Sequence, residues 1–327
     1  MNLDLVLLGT GAWSPTAERG LTSTLIARGS EHLLVDCGEG TQRQMTLSSA
    51  GLGHVTAILV THCHPDHVLG IPGLFATWSD ARDAPLLVAG PEGTARLLAG
   101  FRRYHGRLAF PLEVREVRPG DELRREGYAL RAVESRHSVP SVAWELEEDP
   151  RPGRLDAEAA ARRGVRDGRE LGKLAGGTDV RRPDGSVVAA REVVGPPRRG
   201  RRIVVTGDTM PAAAVERAAR GADVLVHEAT FLQRDADLAA RAGHSTAREA
   251  AGVAARAGVE LLVLTHVSHR YAGAEVAEEA RAVFPAAVVP DDLDAVSVPL
   301  PEHGPPAFLP GGGRARRGGR VPVPQDR

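Results

Sequence analysis

Apolar positions along this chain gather in short runs that stop abruptly on polar, chemically active residues. The runs "VTAILVTH" (55–62), "RRIVVTGD" (201–208) and "LLVLTH" (261–266) are each rich in Val, Ile and Leu. None alternates strictly, which is the pattern of strands buried on both faces. Each closes on Thr-His or Thr-Gly-Asp, so a metal-ligand type of residue stands where the strand ends. "MNLDLVLLG" (1–9) reads as a first strand, and "YALRAVESRHS" (128–138) alternates like a half-buried one.

Between these runs the period lengthens. "PGLFATWSDAR" (72–82), "PEGTARLLAGFRR" (91–103), "MPAAAVERAARGA" (210–222) and "STAREAAGVAARAG" (245–258) are Ala/Arg-rich, with Pro, Ser or Gly near their ends, and predict helices. Strands and helices in both halves imply a layered α/β architecture, two related halves whose strand ends converge. Residues 151–200 break the pattern. "GGTDVRRPDG" and "GPPRRG" mix charge with Gly and Pro, as an inserted excursion would. The segment 301–327, rich in Gly, Pro and Arg, is expected to be a disordered basic tail.

Composition sharpens this only in places. The 327 residues are 42% hydrophobic, enough for a sizeable core, and no apolar run reaches the 18 residues of a membrane span. The N-terminus has no basic region of a signal peptide. Cys37 and Cys63 are too few for a disulfide framework and point to a reducing cytoplasm. A formal net charge of −1 hides an uneven spread: residues 151–202 carry 14 Arg/Lys against 7 Asp/Glu. On charge alone that segment reads first as a solvated linker, with a polyanion-binding surface as the alternative.

The chemistry concentrates in "THCHPDH". His62 and His64 lie two apart, so on an extended strand end both imidazoles face one way and can grip one cation. Pro65 suits the first turn of a helix, which would bring Asp66 and His67 toward the same pocket. Cys63 should face away from it. His137, Asp208 and His266 follow the other strand-like runs. Alone, His137 suits a surface and Asp208 a helix cap. Together these residues supply seven N/O donors, more than one tetrahedral zinc ion needs. Two ions fit better, with Asp208 between them.

The motifs "LLGTGAWSPTAERG", "VDCGEGTQRQ", "THCHPDH", "VVGPPRRGRRIVVTGDT", "VHEATF", "GHST" and "LTHVSHRY" together resemble the metallo-β-lactamase superfamily and, within it, the ribonuclease Z family of tRNA 3′-processing endonucleases. The resemblance covers roughly residues 1–300. It implies a four-layer αβ/βα sandwich in which 1–300 form one catalytic domain containing the inserted flexible arm 151–200. It implies His62, His64 and His137 on one zinc ion and Asp66, His67 and His266 on a second, Asp208 shared, with Mn²⁺ or Fe²⁺ as other occupants. Asp66 would accept the proton of the attacking water, and Glu228 and His244 would deliver one to the leaving oxygen. His227 would pack beneath the site, and the remaining histidines receive no role.

The resemblance also gives the arm, marked by Gly195-Pro196, the body of a precursor tRNA to clamp, in the partner subunit of a homodimer. Lys173, Arg181, Arg182, Arg198 and Arg199 are then the expected phosphate contacts, with Arg19 in the loop near the cleavage position. Phosphate contacts fix position without reading sequence. One departure stands out: the family loop usually ends Arg-Asn, whereas this chain has Arg19-Gly20. The expected activity removes the 3′ trailer, leaving a 3′-hydroxyl on the tRNA and a 5′-phosphate on the trailer. Two other readings compete: a small-molecule phosphodiesterase or lactonase, for which the arm has no task, and a non-catalytic RNA-binding protein, against which the complete donor set argues.

Overall fold

A computed structural model describes residues 1–79 and 82–314. The first sheet takes β1 (Leu3–Gly9), β2 (Ser23–Arg28), β3 (Glu31–Val35), β4 (Val55–Leu59), β5 (Leu86–Gly90) and β6 (Leu112–Glu116). The second begins with β7 (Glu122–Arg125), β8 (Tyr128–Glu134) and β9 (Val142–Glu148). The inserted segment holds a small ribbon, β10 (Val180–Arg181) and β11 (Val187–Val188). The second sheet then resumes with β12 (Arg202–Val205), β13 (Val224–Glu228), β14 (Leu261–Thr265) and β15 (Ala287–Val288). Finally β16 (Ala295–Ser297) and β17 (Ala307–Leu309) return to the first sheet, giving the orders β17-β16-β1-β2-β3-β4-β5-β6 and β15-β14-β13-β12-β9-β8-β7.

The two sheets face each other over Leu5, Leu7, Leu33, Val35, Leu59, Trp144, Leu146, Ile203, Val226 and Val263. Helices α1 (Thr41–Leu47), α2 (Pro65–Val68), α3 (Ile71–Trp78) and α4 (Thr94–His105) cover the outer face of the first sheet through Met45, Val68, Phe75, Trp78 and Phe101. In the insertion lie α5 (Ala157–Arg162) and α6 (Gly168–Ala175). Helices α7 (Ala213–Ala218), α8 (Ala236–Ala242), α9 (Ala247–Ala257) and α10 (Gly273–Arg281) cover the second sheet with Val215, Ala250, Ala254 and Val276. The order helix, sheet, sheet, helix explains the unbroken apolar runs, because central strands are buried on both sides.

Strands β3 to β6 pair parallel, as do β12 to β15. Parallel pairing aligns carboxyl ends, so Asp36, His62, Asp208, Glu228 and His266 all fall at or just past the ends of parallel strands. That alignment makes one cleft out of residues far apart in sequence. Among the described residues no helix is long and apolar enough to cross a membrane.

Two expectations need correction. The segment from 301 is not a tail throughout: β17 pairs antiparallel with β16, and Ser49 N–H bonds Gly313 O at 2.7 Å. The three apolar residues Ala307, Phe308 and Leu309 suffice to add an edge strand, and the surrounding Gly/Pro/Arg composition hides them. Residues 315–327 lie outside the described residues. Nor is 151–200 a solvated linker. It buries Ala160, Val165, Leu174, Val180, Val188, Ala190 and Val193 in a small apolar centre of its own. Its stalk is zipped by the bridges Arg151–Arg198 and Leu155–Val194, and Gly153 packs so tightly on Gly195 that a Cβ there would stand 1.9 Å from the carbonyl oxygen.

Candidate metal centre

The loop after β4 leads into α2 with His64 as its N-cap and Pro65 in its first turn, as the proline required. His62 Nε2 and His64 Nδ1 converge to 3.0 Å, and His137 Nε2 stands 3.2 Å from His64 Nδ1. Asp208 Oδ2 lies 3.6 Å from His62 Nε2 and 4.0 Å from His137 Nε2. Beside this group is a second. His266 Nε2 is 3.3 Å from Asp66 Oδ2 and 3.3 Å from Asp208 Oδ1, and His67 Nε2 is 3.4 Å from Asp208 Oδ1. The seven expected donors are thus brought together, with one oxygen of Asp208 in each group.

Whether such groups suit a cation is testable on the structure. Ligand atoms ~2.0–2.1 Å from a tetrahedral ion are roughly 3.3 Å apart, close to the separations seen here. His67 Nε2 and Asp208 Oδ1 are buried and have no hydrogen-bond partner. Buried polar atoms without partners are costly, and these two point at the same spot. The outer nitrogens of four of the five rings are occupied: Nδ1 of His67 meets Asp36 at 2.7 Å, that of His137 meets Gly243 O at 2.9 Å, that of His266 meets Thr230 Oγ1 at 2.8 Å, and that of His62 meets Thr61 Oγ1 at 3.1 Å, whereas His64 turns Nδ1 inward. Each such bond places the proton outside and turns the Nε2 lone pair into the pocket. The donor set fits a divalent metal.

Asp36 and Thr230 carry this arrangement, and neither stands out in the sequence. Asp36 accepts from Thr61 N–H, from Thr61 Oγ1–H and from His67, each at 2.7 Å. Among the described residues, three of the four non-glycine residues with left-handed backbone belong to the site or touch it: Asp36 (φ 58°), His266 (φ 54°) and Trp13 (φ 59°). Asp and His tolerate that region better than most side chains. Gly207, before Asp208, also needs it: at φ 60° a Cβ would come within 2.4 Å of Thr61 Oγ1.

Glu228 and His244 form a further unit. His244 Nδ1 is 2.8 Å from Glu228 Oε1 and 3.9 Å from Asp208 Oδ2, so it also shares a donor group with Asp208 and His266. Glu228 Oε1 accepts Thr209 N–H, and Oε2 accepts the hydroxyl of Thr230 at 2.6 Å. Burial pushes the His244 imidazole down, but the Glu228 carboxylate outweighs it and lifts it to about 9. Burial pushes the Asp66 carboxyl up, yet the His266 bond and the neighbouring imidazoles hold it well below the usual range. The rest of "GHST" has physical work too: Ser245 Oγ bonds Thr209 O, and Thr246 caps α9 in a capping box with Glu249. His227 is buried within β13 and bonds Glu228 O. Cys63 turns away, toward Thr94.

The expected RNA contacts divide. Arg19 is not free: its guanidinium bonds Thr10 Oγ1, Pro290 O and Asp291, so it clasps its own loop to 290–292. Arg198 pairs with Glu302, and Arg199 with Asp223 and Glu260, at the root of the insertion. Both guanidinium groups are partly exposed and already ion-paired there. Arg182 pairs with Asp184. Lys173 and Arg181 are exposed and, among the described residues, without an ion pair, as are Arg154, Arg166, Arg169 and Arg191. Gly195 and Pro196 sit at the base of the arm.

Comparison with known proteins agrees with this geometry. Models described as metallo-β-lactamase superfamily and β-lactamase superfamily domain match residues 18–166 and 178–267. A protein named ribonuclease Z from Methanosarcina acetivorans is 42% identical over 91% of this chain and 98% of its own. One of the same name from Haloferax volcanii is 44% identical over 91% and 96%. The crystal structure of the short form of human tRNase Z superposes with a TM-score of 0.66 at 26% identity, covering 90% of this chain and 99% of that one.

Proposed function

Because the chain belongs to the ribonuclease Z family of the metallo-β-lactamase superfamily, we propose that it is the endoribonuclease that removes the 3′ trailer from tRNA precursors, with two Zn²⁺ ions held as His62/His64/His137 and Asp66/His67/His266 around a shared Asp208. The observation that carries this reading is the end-to-end match to relatives of that name, the inserted arm included. Bound divalent ions would supply a water deprotonable near neutral pH and neutralise charge on the phosphoryl oxygens.

The chain's own residues do the remaining work. Asp66, whose Oδ2 is fixed by the Trp13 N–H at 2.9 Å, is placed to take the proton of the attacking water. His244 spends Nδ1 on Glu228, which leaves Nε2 to protonate the departing ribose 3′-oxygen, a poor leaving group without a proton. The cut therefore leaves a 3′-hydroxyl on the tRNA.

The arm leaves the second sheet after Glu148 and returns at Arg202, whereas the metal groups lie at the other end of the same strands, by Val142 and Asp208. The seven residues of β9 separate the two by roughly 20 Å. This separation supports a homodimer in which the arm of one copy holds the tRNA cut by the other. The exposed cations Arg166, Arg169, Lys173 and Arg181 are the proposed phosphate contacts. A tRNA substrate and two unpaired cysteines fit a cytoplasmic enzyme.

The test is cleavage of a trailer-bearing precursor with mapping of both product ends. We expect a single cut near the discriminator base, a 5′-phosphate on the trailer, and loss of activity on chelation that Zn²⁺ restores. Intact precursor after prolonged incubation with metal-loaded enzyme would refute the function.

A further inference from the structure

Trp13 and Tyr104 are the exposed aromatic side chains among the described residues, and Trp13 is the one at the metal centre. Its ring centroid is 5.7 Å from that of His244 and 5.8 Å from that of Phe231, both edge-on, while 44% of the residue remains open to solvent. Its indole thus offers an accessible aromatic face beside the reaction centre, a surface on which a nucleic-acid base can stack.

The backbone holds the ring there firmly. Trp13 adopts φ 59°, a conformation that bulky residues rarely take. It is kept by the bond from its N–H to Asp66 Oδ2, and by Ala12 N–H bonding Val267 O, next to His266. On the other side, Arg19 and Gly20 tie the loop to Pro290, Asp291 and Asp292. A strained residue fastened at both flanks is a rigid platform, and rigid aromatic surfaces bind bases by stacking without choosing among them.

Resting on the assignment of His244 as the group facing the leaving oxygen, we propose that the Trp13 indole stacks on the base of the nucleotide 5′ of the cut. That nucleotide owns the departing 3′-oxygen. Its base, on the same ribose, therefore lies beside His244, where Trp13 stands. Because every base has a π face, the contact positions the nucleotide while accepting any identity. Trp13 is thus a specificity and positioning residue for where the chain is cut.

The experiment compares wild type, W13F and W13A on an intact precursor and on one abasic at that nucleotide. Stacking on an aromatic ring is worth on the order of ten- to a hundredfold per base. The abasic precursor should raise the wild-type KM by that factor and leave the already raised KM of W13A unchanged, with W13F keeping most of the sensitivity. A second readout needs no variant. The other two tryptophans, Trp78 and Trp144, are 3% and 2% exposed, so quenching of emission on rapid mixing with RNA reports Trp13. Intact precursor should quench it and abasic precursor should not. Equal cleavage of both precursors by wild type, undiminished abasic sensitivity in W13A, or identical quenching by both RNAs overturns the stacking. Failure of wild type to cut even the intact precursor overturns instead the function on which it rests.

Discussion

Asp36 touches no position assigned to an ion, yet it decides how one is held. Its carboxylate takes the outer proton of His67 and both the N–H and hydroxyl of Thr61, whose oxygen in turn receives His62. One side chain thus orients two imidazoles. Removing outer partners of metal-bound histidines typically costs 10–100-fold in metal affinity. We expect D36A to weaken zinc binding by about that factor in chelator competition; an unchanged affinity would show that packing alone orients the rings. The cluster His62, His64, Asp66 and His67 was legible in the sequence because four donors in six positions are conspicuous, whereas His137, Asp208 and His266 were weak singly and gained their places from the resemblance. Asp36 and Thr230 were not legible, because a Thr or Asp in a turn looks the same whether it caps a helix or orients a ligand. Their roles appear only in the fold, where Asp36, with left-handed backbone, reaches His67 and Thr61, and Thr230 links His266 to Glu228.

At the scale of elements, the buried parallel strands and the Pro65 turn could be read from local pattern, since each expresses its environment in a few adjacent residues. The insertion could not. Its apolar centre is assembled from Ala160, Val165, Leu174 and Val180 on separate short pieces, and only α6, with Leu171 and Leu174 three apart, shows a hydrophobic face by itself. Its ion pairs were hidden for a related reason: the partners of Arg198 and Arg199, which are Glu302, Asp223 and Glu260, are remote in the chain. Deleting 154–194 and joining Gly153 to Gly195 should leave the number of divalent metal ions bound per chain unchanged, because no metal donor comes from the arm. Precursor binding should weaken and become less salt-sensitive, the slope of log K against log salt falling by roughly 0.7–0.9 for each phosphate that the arm had neutralised. A slope unchanged by the deletion would remove the arm from the RNA interface.

For the whole molecule, the active cleft exists only while two sheets stay in register, and the far end of the strands carries a staple for this. Glu148 on β9 accepts two bonds from the Arg201 guanidinium and one from that of Arg28 on β2, and Arg201 continues to Val298 O beyond β16. Second sheet and first are joined twice through one buried carboxylate. Burial pushes that carboxyl up, but the Arg201 and Arg28 bonds outweigh it and hold it below its ordinary value. A carboxyl depressed in the folded state stabilises fully above its unfolded value, about 4.3, and the gain disappears as pH falls through the folded value. Thermal unfolding followed from pH 7 to pH 3 should therefore show part of the acid loss missing in E148Q, which starts less stable but has no charge there to protonate. Stranding the two guanidinium groups should cost E148Q about 3 kcal/mol or more at pH 7. Parallel pH profiles for the two proteins would mean that the acid sensitivity originates elsewhere and that the staple adds packing without charge.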